Sequence, residues 1–436
     1  MLGTLQNIGR IPELRQRIFF TFAMLAVYRV GCVIVTPGIN PAVVSDFFEQ
    51  VAGTVFGLFN LFSGGAFEQL SVFSLGIMPY ISATIIFQLL TVVIPQLEAL
   101  KKEGEQGQKK INQWSRYATV VLAAFQALLI AFALEGGQFG QGAVINPGWG
   151  FRFTTVITLT CGTAFIMWLG EQVTERGIGN GISLIIFAGI IVRIPSGFSQ
   201  LFDLIRTDQF TPLEAILLAV AVVAVLGGVV FVERGQRRIP IQHARRSVGR
   251  RTTQGGMSYF PLRVNTAGVI PPIFASSLLM FPVTIRQFSD SPAIQQFIDT
   301  YLNPGSFLYN GVYVVLIIFF CYFYTAIIIN PIDVSENIKK FGGFIPGVRP
   351  GKKTADYIDH VLSRLTLIGA IYVSAVCILP VILSQRFNFP FYFGGTALLI
   401  GVSVALDTVS QIESHLVSRQ YEGLAQGTRI RGRLGR

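Results

Sequence analysis

Charge, histidine and cysteine are all scarce in this chain, and each shortage removes a class of function. Asp, Glu, Lys and Arg make up 13% of the 436 residues, about half of the ~25% usual for soluble domains. Hydrophobic residues reach 51% and the mean hydropathy is +0.57. Such a chain is an integral membrane protein, because soluble domains need more charge than this. His243, His360 and His415 have no second histidine or carboxylate at metal-ligand spacing, which speaks against metal-dependent or histidine-based catalysis. Cys32, Cys161, Cys321 and Cys377 each fall singly inside an apolar run, so no disulfide or metal framework follows. A phosphate-binding Gly-rich loop followed by Lys and Ser or Thr is also missing, and nucleotide hydrolysis would have to belong to a partner. No cofactor is expected.

What the chain does have is length of apolar sequence. Runs recur at roughly 18–36, 75–94, 117–134, 153–171, 180–195, 213–232, 266–284, 309–330, 362–383 and 391–411. Each approaches the ~20 residues that a helix needs to cross a bilayer. They lack the alternation of a lipid-facing barrel strand and are about twice its length, so the expectation is an all-α protein with ten transmembrane helices. The first run contains Arg29 and no small-residue cleavage site, and it reads as a retained span.

Lys and Arg are held on the cytoplasmic side during insertion. Placing the N-terminus and every second loop inside puts 28 of the 34 basic residues there. Both termini are then expected in the cytoplasm. The outer side receives Arg152, Arg193, Arg206, Arg286 and Arg386. Arg29, Arg193 and Asp407 lie toward span ends, and the central turns hold almost no ionisable group. Ion-coupled transporters place carboxylates or histidines near the midplane, so a secondary solute transporter is the runner-up reading, with an intramembrane hydrolase third.

The spans repeat. "GIMPYISAT" (Gly76–Thr84) and "GVIPPIFAS" (Gly268–Ser276) share Gly, two apolar residues, Pro, Ile, Ala and a hydroxyl residue, and match the second run with the seventh. "GISLIIFAG" (Gly181–Gly189) and "GTALLIGVS" (Gly395–Ser403) match the fifth with the tenth. Two halves of five spans follow, and because five is odd they form an inverted pair. Pro79 and Pro271 lack a backbone donor and are expected to loosen the preceding turn, while Ala83, Ala275, Ser82, Thr84, Ser276 and Ser277 permit close packing. This reads as a separable seam. Ile81 with Ile273, and Ile186 with Ile400, lie near the centres of their spans, making an apolar ring at mid-depth. Ile85 and Ile190 sit one turn further along. Such a constriction excludes water and ions by dewetting.

The segment "FNLFSGGAFEQLSVFSLGIMPYI" (59–81) is too apolar for an ordinary loop and too broken by Ser63, Gly64, Gly65 and Glu68 to span a bilayer. Together with "SLGIMPYISATIIFQLLT", "ERGIGNGISLIIFAGI", "RVNTAGVIPPIFASS", "NPIDVSENIKKFGGFIPGVRPGKKT" and "SRQYEGL", in this order and across the whole chain, it resembles the SecY/Sec61-alpha family of protein-conducting channels. The resemblance implies two inverted five-helix halves around a central pore, residues 1–195 and 213–436, with an external hinge at 196–212. It implies a re-entrant plug helix over about 54–71, carrying Phe56, Leu58, Phe59, Leu61, Phe62 and Phe67, packed under the ring and hinged at Gly64 and Gly65. The family's pore ring falls on Ile81, Ile85, Ile186, Ile190, Ile273 and Ile400. A lateral gate is implied between the second and seventh spans, with Pro79, Thr84 and Gln88 on one wall and Asn265, Pro271 and Ser276 on the other.

Cytoplasmic loops at about 233–263 and 331–363 carry dense basic clusters, "ERGQRRIPIQHARRSVGRR" and "GFIPGVRPGKK". Positive-inside bias and anionic lipid account for part of that charge. The resemblance implies a docking platform as well, through Arg245, Arg246, Arg250, Arg251, Arg349, Lys352 and Lys353, with Arg349 the foremost. Its expected partners are the ATPase SecA, the ribosome, whose RNA offers phosphates to arginine, the small subunits SecE and SecG, and signal sequences on nascent chains. The implied setting is the cytoplasmic membrane, and the implied activity is passive translocation of unfolded polypeptides with sideways release of membrane helices.

Overall fold

The computed structural model describes residues 12–50, 60, 63–137, 139–195, 197, 199, 205–207, 211–243, 246–248, 251–253, 256–288, 296, 298, 301, 306–387 and 395–427. Every one of the ten apolar runs coincides with a helix. In chain order these are α1 (Pro12–Gly31), α3 (Met78–Val93), α5 (Glu105–Glu135), α6 (Trp149–Arg176), α7 (Gly181–Val192), α8 (Pro212–Glu233), α9 (Ile270–Phe288), α10 (Phe307–Ile328), α12 (Lys352–Phe387) and α13 (Gly395–Gly427). Among the described residues, short helices intervene at α2 (Pro41–Gln50), α4 (Pro95–Lys102) and α11 (Pro331–Lys340). Among the described residues, five helical stretches are long and apolar enough to cross a membrane, or six when the bent pair α3–α4 counts as one. Two of the remaining helices fall short for visible reasons. Helix α1 carries Glu13, Arg15, Arg17 and Arg29, and α7 has only 12 residues.

Helix ends follow local chemistry. The Asn180 side chain accepts from the amides of Ile182 and Ser183 to start α7, and Thr211 with Glu214 forms a reciprocal capping box on α8; both satisfy amides that a first turn leaves unpaired. Ile94 is extended and Pro95 opens α4, so α3 and α4 meet at 99°. Proline suits a first turn and cannot continue the preceding helix.

The repeats are structural as well as sequential. Gly76 (φ 56°) and Gly268 (φ 66°) are both left-handed, and two residues beyond each a helix begins, at Met78 and Ile270. Pro79 and Pro271 therefore occupy first turns. They loosen no preceding turn of helix, because a first-turn N–H has no intrahelical acceptor to lose. Gly181 and Gly395 each open a helix, and in each case a Cβ would fall 2.0 Å from a backbone oxygen, of Gly170 and of Val376 respectively. Equivalent glycines thus make equivalent backbone contacts.

The chain divides into two compact units. One comprises Met1–Ser196 with Val404–Arg436, the other Gly197–Ser403, so α13 contributes to both. In the first unit, α5 buries Gly107, Ile111, Ser115, Thr119, Ala123, Ala127 and Ala131 at four-residue intervals. Small residues on one stripe let helices approach closely, which substitutes for a hydrophobic driving force between helices in lipid. Ala123 and Ala127 pack with Leu75 and Leu159. At the far end of α5, Glu135 accepts from Arg152 Nε at 2.6 Å and from the Gly148 amide at 2.8 Å, joining α5 to α6. Ala127→Leu is expected to destabilise the protein by about 1–3 kcal/mol through overpacking, with Val121→Leu, at an exposed position, near neutral. Thermal unfolding of both variants in detergent checks this.

In the second unit α10 packs on α9 and α12. Its polar end is built on a three-stranded sheet in the order β4-β1-β5, with β1 (Gln236–His243), β4 (Met257–Arg263) and β5 (Gly343–Phe344). β1 pairs antiparallel with both neighbours, Ile239 opposite Phe260 and Gln242 opposite Phe344. Beneath it Ile239, Leu262, Ile345, Ile358, Val361 and Leu362 form one core.

Candidate functional site

In the first unit the centre of interest is the segment after α2. Phe56, Leu58, Phe59, Leu61 and Phe62 lie outside the described residues, whereas Asn60 and everything from Ser63 to α3 are described. Ser63 is buried, and its carbonyl accepts from the Tyr28 hydroxyl at 3.1 Å. The carbonyl of Gly64 accepts from Arg29 Nη1 at 2.6 Å. Glu68 ties the segment down further: its Oε2 accepts from Asn60 Nδ2 at 2.8 Å and from Arg193 Nη2 at 2.7 Å. Its amide donates to Asn60 Oδ1 at 3.1 Å. Two arginines that looked like stray charges near span ends, Arg29 and Arg193, therefore hold one loop. Charge-assisted bonds of this kind are about twice as strong as neutral ones.

Gly64 and Gly65 have φ values of 67° and 87°, a conformation that glycine adopts without steric cost. Gly64 also sits against α7: a Cβ there would lie 2.8 Å from Gly189 Cα, and Gly189 falls between Ile186 and Ile190 in the sequence. Phe67 is buried with Leu70 in a cluster that includes Val44, Phe48, Leu134 and Phe139, its ring 5.1 Å from that of Phe48. Gly64, Gly65 and Phe67 are thus packed and hydrogen-bonded among partners supplied by α1, α2 and α7.

Of the positions expected to line a ring, those in this unit are Ile85, Ile186 and Ile190, which are buried, and Ile81, which is half-buried. In the second unit Ile273 and Ile400 are buried. Of the polar residues expected at a gate, Thr84, Ser276 and Asn265 have partners inside their own units. The Thr84 hydroxyl donates to the Tyr80 carbonyl at 2.8 Å, and those of Ser276 and Ser277 to the Ile273 carbonyl at 2.9 and 2.8 Å. Asn265 Nδ2 donates to Glu233 Oε1 at 2.7 Å and to the Gly268 carbonyl at 3.2 Å. Glu233 escaped the sequence reading, since nothing in its spacing marks a carboxylate 32 residues away as a partner. Gln88 is half-buried on α3.

The two basic loops share the three-stranded sheet, β1 and β4 from the first and β5 from the second, whereas Arg246 and Arg251 fall on a separate two-stranded sheet. Arg246 lies on β2 (Arg246–Val248) and Arg251 on β3 (Arg251–Thr253), paired antiparallel with Val248 opposite Arg251. Arg245 and Arg250 fall outside the described residues. Arg349 is exposed in a turn between β5 and α12, and Lys352 and Lys353 are exposed on the first turn of α12. Two lysines there oppose the helix dipole, so helix stability does not explain them. Among the described residues no group of three or more His, Cys, Asp or Glu is placed to hold a metal.

A family profile described as SecY matches residues 71–409. The chain belongs to the SecY family. "Protein translocase subunit SecY" of Escherichia coli (strain K12) is 49% identical over 427 residues, covering 97% of this chain and 96% of that one. Among solved structures, "The structure of a protein conducting channel" is similar at a TM-score of 0.65 and 20% identity, covering 93% of each chain. "Sec61 in the Canine ribosome-channel complex from the endoplasmic reticulum" is similar at a TM-score of 0.65 and 18% identity, with 93% of each covered. As a SecY-family chain, the protein is a multi-pass membrane channel of a protein translocase, and the channel itself is not an enzyme.

Proposed function

We propose that unfolded secretory polypeptides cross the cytoplasmic membrane through a ring of Ile81, Ile85, Ile186, Ile190, Ile273 and Ile400, and that apolar helices leave sideways between α3 and α9. The observation that carries this reading is the pairing of isoleucines at equivalent places in two structural repeats, three of the four buried and Ile81 half-buried, with a loop seated on α7 beside Ile186 and Ile190. The halves 1–195 and 213–436 separate about the stretch 196–212. Both termini face the cytoplasm, as the basic residues require. A gate of this kind closes weakly. Thr84, Ser276 and Asn265 already spend donors within their own units, so closure rests on packing and on what the Gln88 amide can donate, and an apolar signal helix can replace it.

The plug spans about residues 54–71, and within it Ser63–Leu70 is the anchor, bonded to Tyr28, Arg29 and Arg193. The docking surface consists of Arg245, Arg246, Arg250, Arg251, Arg349, Lys352 and Lys353, and receives SecA or the ribosome; the similar Sec61 was solved in a ribosome-channel complex. SecE and SecG complete the translocase, anionic lipid surrounds the basic loops, and the energy comes from SecA or the translating ribosome. The test is deletion of Phe56–Phe62 with the anchor kept. In proteoliposomes the resting ion leak should rise about tenfold or more while protein transport persists. Unchanged conductance would remove the plug from the mechanism.

A further inference from the structure

Serine and threonine in membrane helices usually turn their hydroxyls back to the carbonyl one turn earlier. Ser115, Thr119, Thr366 and Thr408 do so here, donating to Ile111, Ser115, Leu362 and Val404. Ser335 and Thr354 do not. Ser335 lies in the middle of α11, yet its hydroxyl donates to the carbonyl of Gly351, 16 residues away, at 2.7 Å. Thr354 lies in the first turn of α12 and donates to the carbonyl of Arg349, outside its own helix, at 2.9 Å. Both side chains are buried, with relative exposures of 3% and 1%.

The turn they hold is the one that displays Arg349. Gly347 and Gly351 have φ values of 82° and 103°, so this stretch would sample many conformations if left alone. Instead the Gly351 carbonyl accepts three bonds, from Ser335 Oγ and from the amides of Thr354 at 2.9 Å and Ala355 at 3.1 Å. The Val348 amide donates to Ile345 at 3.1 Å, and Ile345 is anchored in the core under the sheet. An exposed arginine thus stands on a pedestal, a turn tied down by two buried hydroxyls and a core isoleucine.

We infer that Ser335 and Thr354 are positioning residues for docking: they fix the Arg349 backbone in advance, so that an anionic partner surface meets an ordered guanidinium. This rests on the proposal that Arg349 docks the motor ATPase. Preorganisation lowers the ordering cost of binding. Its loss should therefore appear in the partner concentration needed, and leave the maximal transport rate unchanged.

The test uses the complete translocase in proteoliposomes, titrated with purified SecA at saturating ATP and a fixed preprotein. Thr354→Val keeps the shape and removes the hydroxyl, Ser335→Ala removes the second, Thr354→Ser restores the first, and Arg349→Ala reports on docking itself. Thr354→Val and Ser335→Ala should each raise the half-saturating SecA concentration about tenfold, which corresponds to about 1.4 kcal/mol, with maximal rate and thermal stability unchanged. Thr354→Ser should behave as the parent protein. If Arg349→Ala raises the half-saturating concentration and neither Thr354→Val nor Ser335→Ala does, the pedestal inference is overturned while docking stands. If both hydroxyl variants lower the maximal rate and the melting temperature at unchanged half-saturation, the hydroxyls serve folding alone and the inference again fails. If Arg349→Ala leaves half-saturation unchanged, docking through Arg349 fails and the pedestal with it.

Discussion

Replacing Arg349 with Glu should reduce SecA-driven transport by more than about tenfold while leaving the protein inserted, folded and closed to ions. The side chain is exposed, and only its backbone carbonyl is held, by Thr354, so reversing the charge disturbs no core packing. What changes is the partner's view. A guanidinium that would pair with an acidic or phosphate group becomes a carboxylate that repels it, and breaking one member of a close charge pair across an interface costs about 2–5 kcal/mol. Lys352 and Lys353 remain on the first turn of α12, which makes the reversal local. The measurement is preprotein protection in proteoliposomes, with ion leak and thermal unfolding recorded alongside. Transport at the parental rate would remove Arg349 from the docking surface, and a raised leak would show that the substitution acts on the pore instead.

Much of the fold was legible because membranes impose few options. Ten apolar runs became ten helices, and the repeat read from Gly76 and Gly268 reappears as a shared left-handed glycine two residues before a helix. Periodicity and glycine carry that information along the chain itself. Partnership does not travel along the chain. Nothing in the sequence pairs Arg193 with Glu68, Arg29 with the Gly64 carbonyl, or Glu233 with Asn265, because each contact joins residues brought together only by packing. The prolines misled for a related reason. Pro79 and Pro271 sit within long apolar runs, so a proline inside a span reads as a kink, although both helices begin only one residue earlier. The glycine at 64 reads as slack when alone, yet it serves a close backbone approach to Gly189.

The ring offers the other large effect. Ile273 and Ile400 are buried and apolar, and in the proposed closed pore they hold back ions because water is unfavourable in a narrow apolar constriction. Asn is of similar reach but offers a carbonyl and an amide to water, so it should lower the barrier to wetting. The same change should weaken apolar packing in the closed pore while leaving the transport path intact, shifting the equilibrium toward the open state. Opening then demands less of the signal sequence. Ile400→Asn and Ile273→Asn should each raise ion leak and increase export of a substrate with a defective signal about tenfold, the factor given by ~1.4 kcal/mol of closed-state stability. Ile→Leu at the same positions conserves apolar volume, costs less than about 1.5 kcal/mol in packing, and should do neither. The paired comparison separates polarity from volume. Equal leak and equal signal stringency in the Asn and Leu variants would reduce these isoleucines to packing residues, and the seal would then have to lie elsewhere along the pore.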